Sequence, residues 1–346
     1  MRAVVFEGVG RVAVRDVPEP RILAPGDALV RVIRASICGS DLHFLRGRAP
    51  FDPGTVLGHE AVGVVEAVGE GVRDVRPGTR VAVAFDNACG ACWFCRRGET
   101  QLCEDLLMLG GGPFTGNLPG AQAELVRVPR ADANLLPLPD ELDDERAVFL
   151  GDALPTGIHA AALGGVGPGT AVAVVGGGPV GLFSALAARA RGADPVLVLE
   201  LEPARLALAR RLGLRAVDVR AAHPQAAVED ATGGRGADVV VDAVGRPEAF
   251  ETATDVVRRG GAVVIVGLYA GETVETQLGV AWARALTFRF SGLCPVHACW
   301  EEALALVREG RIDPLPLVSH RLPLAEADLG YALFDRGEAT KVVLVP

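Results

Sequence analysis

Lysine is all but missing from this 346-residue chain: Lys341 is the single one, and arginine carries nearly all of the positive charge. No block of basic residues stands anywhere, and the formal net charge is −9. A nucleic-acid partner needs a basic footprint to neutralise phosphates, so that class of function is excluded. No run is long and apolar enough to span a membrane as a helix. The opening stretch, MRAVVFEGVGRVAVRDV, alternates like a strand and lacks the apolar block of a secretory leader. The expectation is a soluble, cytoplasmic protein. Regular repeats are absent too, which removes solenoids and propellers.

What is present points to two domains. A chain of this length exceeds one ordinary core, and a hydrophobic share of 50% can fill two. Up to about residue 150 the sequence runs in short alternating strands separated by glycine turns, as in DALVRVIRAS, AVGVVEAVGEGV and TRVAVAF, and predicts a compact β-rich barrel. From about residue 168 the texture changes. Buried strands (TAVAVV, ADVVVDAVG, GAVVIVGL) alternate with helical stretches (PVGLFSALAARA, ARLALARRLG, PEAFETATDVVRRG). That alternation predicts a doubly wound α/β unit, a parallel sheet with helices on both faces. From about residue 290 a helix, HACWEEALALVREG, leads to a last strand, ATKVVLVP.

Four of the seven cysteines stand close together: Cys89, Cys92, Cys95 and Cys103 read C-x2-C-x2-C-x7-C. In a reducing compartment clustered cysteines are metal ligands more often than disulfides. The two-residue gaps turn consecutive thiolates toward one point, and the longer gap brings in the fourth. A closed tetrahedral sulfur site of this kind suits a structural zinc, with Gly90 and Gly98 at its turns. Cys294 and Cys299 have no matching partners and read as small buried apolar residues.

Gly176, Gly178 and Gly181 form G-x-G-x-x-G between a strand and a helix. In that order the first glycine makes the tight turn, the second lets a pyrophosphate approach, and the third packs helix on strand. Pro179 and Val180 open the helix whose N-terminus would face the phosphates. Glu200 ends the following strand, where a carboxylate accepts the adenosine ribose hydroxyls and repels a 2′-phosphate. NAD is expected over NADP. Arg205, five residues on, is the nearest arginine and is included in the cofactor site.

A second metal site is spread over distant segments. Cys38, in CGSDLH, and His59, in GHE, are good zinc ligands; Glu60 and Asp152 both qualify as a third. Three protein ligands plus an open position would make a catalytic zinc.

The segments LGHEAVGVVEAVGEGVRDVRPGTRVAV, CGACWFCRRGETQLC, GNLPGAQAELVRVP and VVGGGPVGL resemble the zinc-dependent medium-chain alcohol dehydrogenases, essentially end to end. The resemblance implies a GroES-like catalytic domain over 1–150 and 291–346, and a Rossmann NAD-binding domain over 151–290. It implies two zinc ions per chain, with Cys38, His59 and Asp152 as catalytic ligands and Glu60 as an alternate ligand. Asp41 would orient the ligand histidine. Ser40 would take the alcohol proton and His43 would relay it. Phe85 would line the substrate pocket, Glu200 would bind the ribose, and Lys341 would stand near the cofactor phosphates. The implied reaction moves hydride between a small alcohol and NAD to give an aldehyde or ketone. A polyol, threonine or formaldehyde dehydrogenase of the same family is the alternative, and an NAD-binding sensor is the non-enzymatic one. A homodimer or homotetramer is expected, paired through the cofactor domain's sheet edge, which GGAVVIVGL followed by ALTFRFSGL would supply.

Overall fold

The structure is a computed structural model that describes residues 1–346, the side chain of Phe114 excepted. Two compact units form. One comprises Met1–Pro155, Cys294–Arg308 and Asp313–Pro346; the other comprises Thr156–Leu293 with Glu309–Ile312. Among the described residues no helix is long and apolar enough to cross a membrane.

The second unit is built on six parallel strands, in the order Arg215–Asp218, Val196–Glu200, Val172–Val175, Ala237–Asp242, Val257–Ile265, Thr287–Phe290. Val172–Val175 and Val196–Glu200 are buried at every position, as unbroken apolar runs must be when helices cover both faces. Four crossover helices, Pro179–Ala190, Pro203–Arg211, Pro224–Thr232 and Pro247–Val256, each open on proline. At that first position the missing amide proton costs nothing and the fixed φ suits the helix. The sheet order reverses at Val172–Val175, which pairs with the second strand on one side and the fourth on the other. In such sheets the ends of those strands form the ligand crevice.

One boundary differs from the sequence reading. The helix expected over PEAFETATDVVRRG stops at Val256, and Val257 already pairs with Ala237 as the next strand begins. Two adjacent β-branched residues at the junction favour the sheet once a partner strand is available.

The first unit carries a seven-stranded sheet. Its order is His320–Pro323, Val342–Val345, Ala28–Ile37, Glu60–Val68, Arg80–Val83, Leu135–Pro137, with Leu125–Val128 also pairing to Ala28–Ile37. Its core includes Ile37, Val81, Val83, Leu109, Tyr331, Val342 and Leu344. Register does the functional positioning. Ser36 pairs with Glu60, so Cys38 leaves one strand where His59 enters its antiparallel neighbour. Ala61 pairs with Val83, which brings Phe85 to the same end. Val342 pairs with Ile37, so Lys341 arrives there from the C-terminal strand.

Candidate active site

Three side chains from distant segments converge at that end. The ligand atoms of Cys38, His59 and Asp152 all lie within 4.8 Å of one another. Cys38 Sγ is 3.6 Å from Asp152 Oδ2, and His59 Nε2 is 3.4 Å from the same oxygen. Asp152 follows a short 3-10 turn, Val148–Gly151, which Trp300 secures by donating Nε1–H to the Leu150 carbonyl at 2.9 Å. Behind His59 stands Asp41, with Oδ1 3.3 Å from Nδ1 but poorly aligned for a hydrogen bond. On the other side Ser40 Oγ lies 3.3 Å from His59 Nε2. Ser40 immediately precedes the short helix Asp41–Leu45, and His43, half-buried, lies one turn further along. The Phe85 ring meets the His59 ring edge to face at 6.1 Å between centroids.

The electrostatics of this cluster call for a cation. Burial, then the Glu60 and Asp152 carboxylates, push the Cys38 thiol above its ordinary value. Burial opposes charge on His59, yet the carboxylate of Asp41 and the Cys38 sulfur outweigh it and lift the imidazole well above its usual range. Both groups are thereby biased toward their protonated forms. One sulfur, one imidazole nitrogen and one carboxylate oxygen are zinc donors, and three of them leave a fourth place open. The residues fit the ion, which would displace both protons on binding.

Glu60 does not join this group. Its Oε2 takes hydrogen bonds from Ser36 Oγ and Lys341 Nζ, while Oε1 is buried with no hydrogen-bond partner. Lys341, brought to the same end of the sheet by the C-terminal strand, is enclosed with Glu60. It is 1% exposed, ion-paired with Glu60, and lies 5.8 Å from the centre of the Phe149 ring.

The four cysteines of the loop also converge, their sulfurs within 4.8 Å of one another. Cys89 and Cys95 sulfurs are 3.9 Å apart; sulfurs at the corners of a zinc tetrahedron with 2.3 Å bonds would be about 3.8 Å apart. Amides of Cys92 and Cys89 point at sulfurs of Cys89 and Cys103, at 3.2 and 3.1 Å. Backbone hydrogen bonds lower the Cys92 thiol to about 6, while burial and its neighbours raise Cys95 to about 12, as expected where thiolates share one small volume. Trp93, within this loop, is 54% exposed, with Arg97 over its ring at 4.6 Å.

His297 pins both ends of this loop. Its Nε2 is 2.9 Å from Asn134 Oδ1 and its Nδ1 is 2.8 Å from Thr100 Oγ1. The amide orientation of Asn134 is fixed, because Nδ2 donates to three carbonyls and Oδ1 accepts the Ala88 amide. His297 must therefore carry its proton on Nε2 and accept from Thr100. Burial holds its pKa at about 4, below the ordinary 6.5. A base depressed in the folded state loses its stabilising contribution as pH falls from 6.5 toward 4, by up to about 3 kcal/mol. His297→Gln is expected to flatten the pH dependence of the melting temperature in that window, leaving pH 8 little changed. An unaltered acid limb would refute this.

In the second unit Gly176 adopts φ +99°, and a Cβ at Gly181 would lie 1.9 Å from the Gly176 carbonyl, so both positions require glycine. Gly178 caps Pro179–Ala190, whose first-turn residues Pro179 and Val180 face the glycine turn. Glu200, 5% exposed, accepts the Gly177 amide at 2.7 Å through Oε2 and the Leu201 and Glu202 amides through Oε1. Arg205, five residues on, comes within 3.8 Å of Glu200, and among the described residues its buried Nε has no hydrogen-bond partner.

Residues 24–140 match the family described as alcohol dehydrogenase GroES-like domain, and residues 179–309 the family described as zinc-binding dehydrogenase. The chain is 47% identical to the alcohol dehydrogenase TADH from Thermus sp. ATN1, over 100% of its own length and 99% of that chain, with a TM-score of 0.95. It is 36% identical to a zinc-type alcohol dehydrogenase-like protein of Bacillus subtilis, over 100% of both. It is 34% identical to a glutathione-independent formaldehyde dehydrogenase of Pseudomonas aeruginosa, over 100% of this chain and 97% of that one.

Proposed function

We propose, from the premise that the chain belongs to the zinc-dependent medium-chain alcohol dehydrogenase family, that it oxidises small alcohols to aldehydes or ketones with NAD. The convergence of Cys38, His59 and Asp152, with Glu60 held elsewhere, carries this reading. Zinc in that place supplies a Lewis acid that makes an alcohol more acidic, and NAD supplies the hydride acceptor. The chain does the rest. Cys38, His59 and Asp152 hold the ion. Asp41 keeps the His59 proton on Nδ1 so that Nε2 faces the ion. Ser40 Oγ, 3.3 Å from His59 Nε2, would receive the alcohol proton. His43 passes it to solvent. Phe85 bounds the pocket with an apolar face. The carboxylate of Glu200 selects an unphosphorylated ribose, with Arg205 as its counter-ion.

Formaldehyde as substrate is the second reading, supported by the Pseudomonas aeruginosa relative. A second copy of the chain is the proposed partner. Trp282, Phe290 and Leu278, all at or near the edge strand Thr287–Phe290, are 85%, 72% and 72% exposed. Free thiols in the cysteine loop favour a reducing cytoplasm. One preparation tests these points together. Two zinc ions per chain, a dimeric or tetrameric mass by light scattering, and NAD-coupled turnover of primary, secondary and polyhydric alcohols are expected. A tenfold preference for NADP would overturn the role of Glu200, and one zinc per chain without turnover would overturn the enzyme reading.

A further inference from the structure

We infer that Gln122 and Tyr331 are positioning residues for the Cys38–His59–Asp152 centre, acting through Asp41. The inference rests on the metal reading above. Tyr331, on the helix Ala327–Asp335, donates its hydroxyl to Gln122 Oε1 at 2.9 Å. Gln122 Nε2 donates to the Ser36 carbonyl at 3.0 Å and to Asp41 Oδ2 at 3.4 Å. The same Asp41 oxygen accepts the Cys38 amide at 3.0 Å, and the other faces His59 Nδ1. Every member is buried: Tyr331 1%, Gln122 0%, Asp41 0% and His59 2% exposed.

The direction of the chain is forced. A flipped Gln122 amide would set its oxygen against two acceptors, the Ser36 carbonyl and Asp41 Oδ2. Burial, reinforced by the Asp41 charge, holds the Tyr331 phenol well above its ordinary value, so it remains a donor. Two donors occupy Asp41 Oδ2, so the oxygen that faces His59 Nδ1, at 3.3 Å, is Oδ1. That sets which imidazole nitrogen keeps its proton and which meets a metal.

Packing ties the pair to the ligand itself. Gln122 is anchored by backbone bonds, its amide to the Leu57 carbonyl and its carbonyl from the Val4 amide. Gly58, the residue before His59, has φ +93°, and a Cβ there would come 2.3 Å from Gln122 Cγ. The glycine of the GHE motif is therefore the space into which Gln122 fits.

Tyr331→Phe removes one hydroxyl, and Gln122→Met removes the amide at similar volume. The test is zinc release from holoprotein into excess chelator, with the four-cysteine zinc as internal reference, and the visible spectrum after cobalt(II) replaces the zinc at the Cys38 site. Gln122→Met is expected to speed release from that site roughly tenfold or more, within the range for groups that orient a ligand. Tyr331→Phe should speed it about threefold, and the double variant should match Gln122→Met. The cobalt bands should shift in all three, and the four-cysteine zinc should leave at its usual rate. Unchanged release, equal acceleration at both sites, or effects that multiply in the double variant would overturn the inference. Should Gln122→Met fail to fold, Tyr331→Phe alone still decides through the ratio of the two rates and the cobalt bands. Wild-type protein that holds zinc only on the four cysteines would instead overturn the functional reading beneath it.

Discussion

Cys38→Ser is expected to lower kcat/KM for alcohol oxidation by roughly 10³-fold and to reduce bound zinc from two ions per chain to one. The loss follows from what the site supplies. Lewis-acid activation contributes several kcal/mol to a transition state in which negative charge grows on oxygen, and about 4 kcal/mol corresponds to about three decades in rate. Serine offers a weaker donor than thiolate, and it leaves His59 and Asp152 as a two-ligand site that cannot retain the ion against dilution. The same substitution at Cys89 discriminates the two centres. It should cost the other zinc and lower the melting temperature, while the folded fraction keeps its kcat, since a closed four-sulfur site presents no place for substrate. Zinc content by elemental analysis and steady-state kinetics on both variants check the pair. Full activity in Cys38→Ser would remove the catalytic zinc from the mechanism.

Where the signal is local, the sequence carried it. The parallel sheet was legible because unbroken apolar runs alternate with helical periods, and the four-cysteine loop because its ligands are neighbours in the chain. The catalytic trio was only half legible. Cys38 and His59 stand in motifs, but the choice between Glu60 and Asp152 depends on strand register and on a residue 114 positions from Cys38. Arg205 stands five residues after Glu200, and the helix Pro203–Arg211 turns it back onto the carboxylate. Gln122, Tyr331 and His297 left no trace because a buried polar side chain in an apolar stretch shows no periodicity. Its partners come from other segments, and only the fold reveals them.

Lys341→Met is expected to destabilise the protein by about 3–5 kcal/mol, a fall in melting temperature on the order of 10 °C. The residue is the only lysine in the chain and sits 1% exposed against a Glu60 that is 0% exposed. Burial opposes its charge, but Glu60 and then Cys38 outweigh that and raise its pKa, so the ammonium persists. Methionine fills nearly the same volume, so packing changes little and the cost is electrostatic. Glu60 would be left as a buried carboxylate with only the Ser36 hydroxyl to compensate it. A second substitution separates this account from a packing one. Glu60→Gln in the Lys341→Met background removes the stranded charge and retains an acceptor for Ser36, so it should recover most of the lost stability. Glu60→Gln alone strands the ammonium in turn and should be destabilising. Denaturant melts of the four proteins close the cycle. A coupling energy near zero would mean that the pair merely fills space, and that the charge on Glu60 is carried by something other than Lys341.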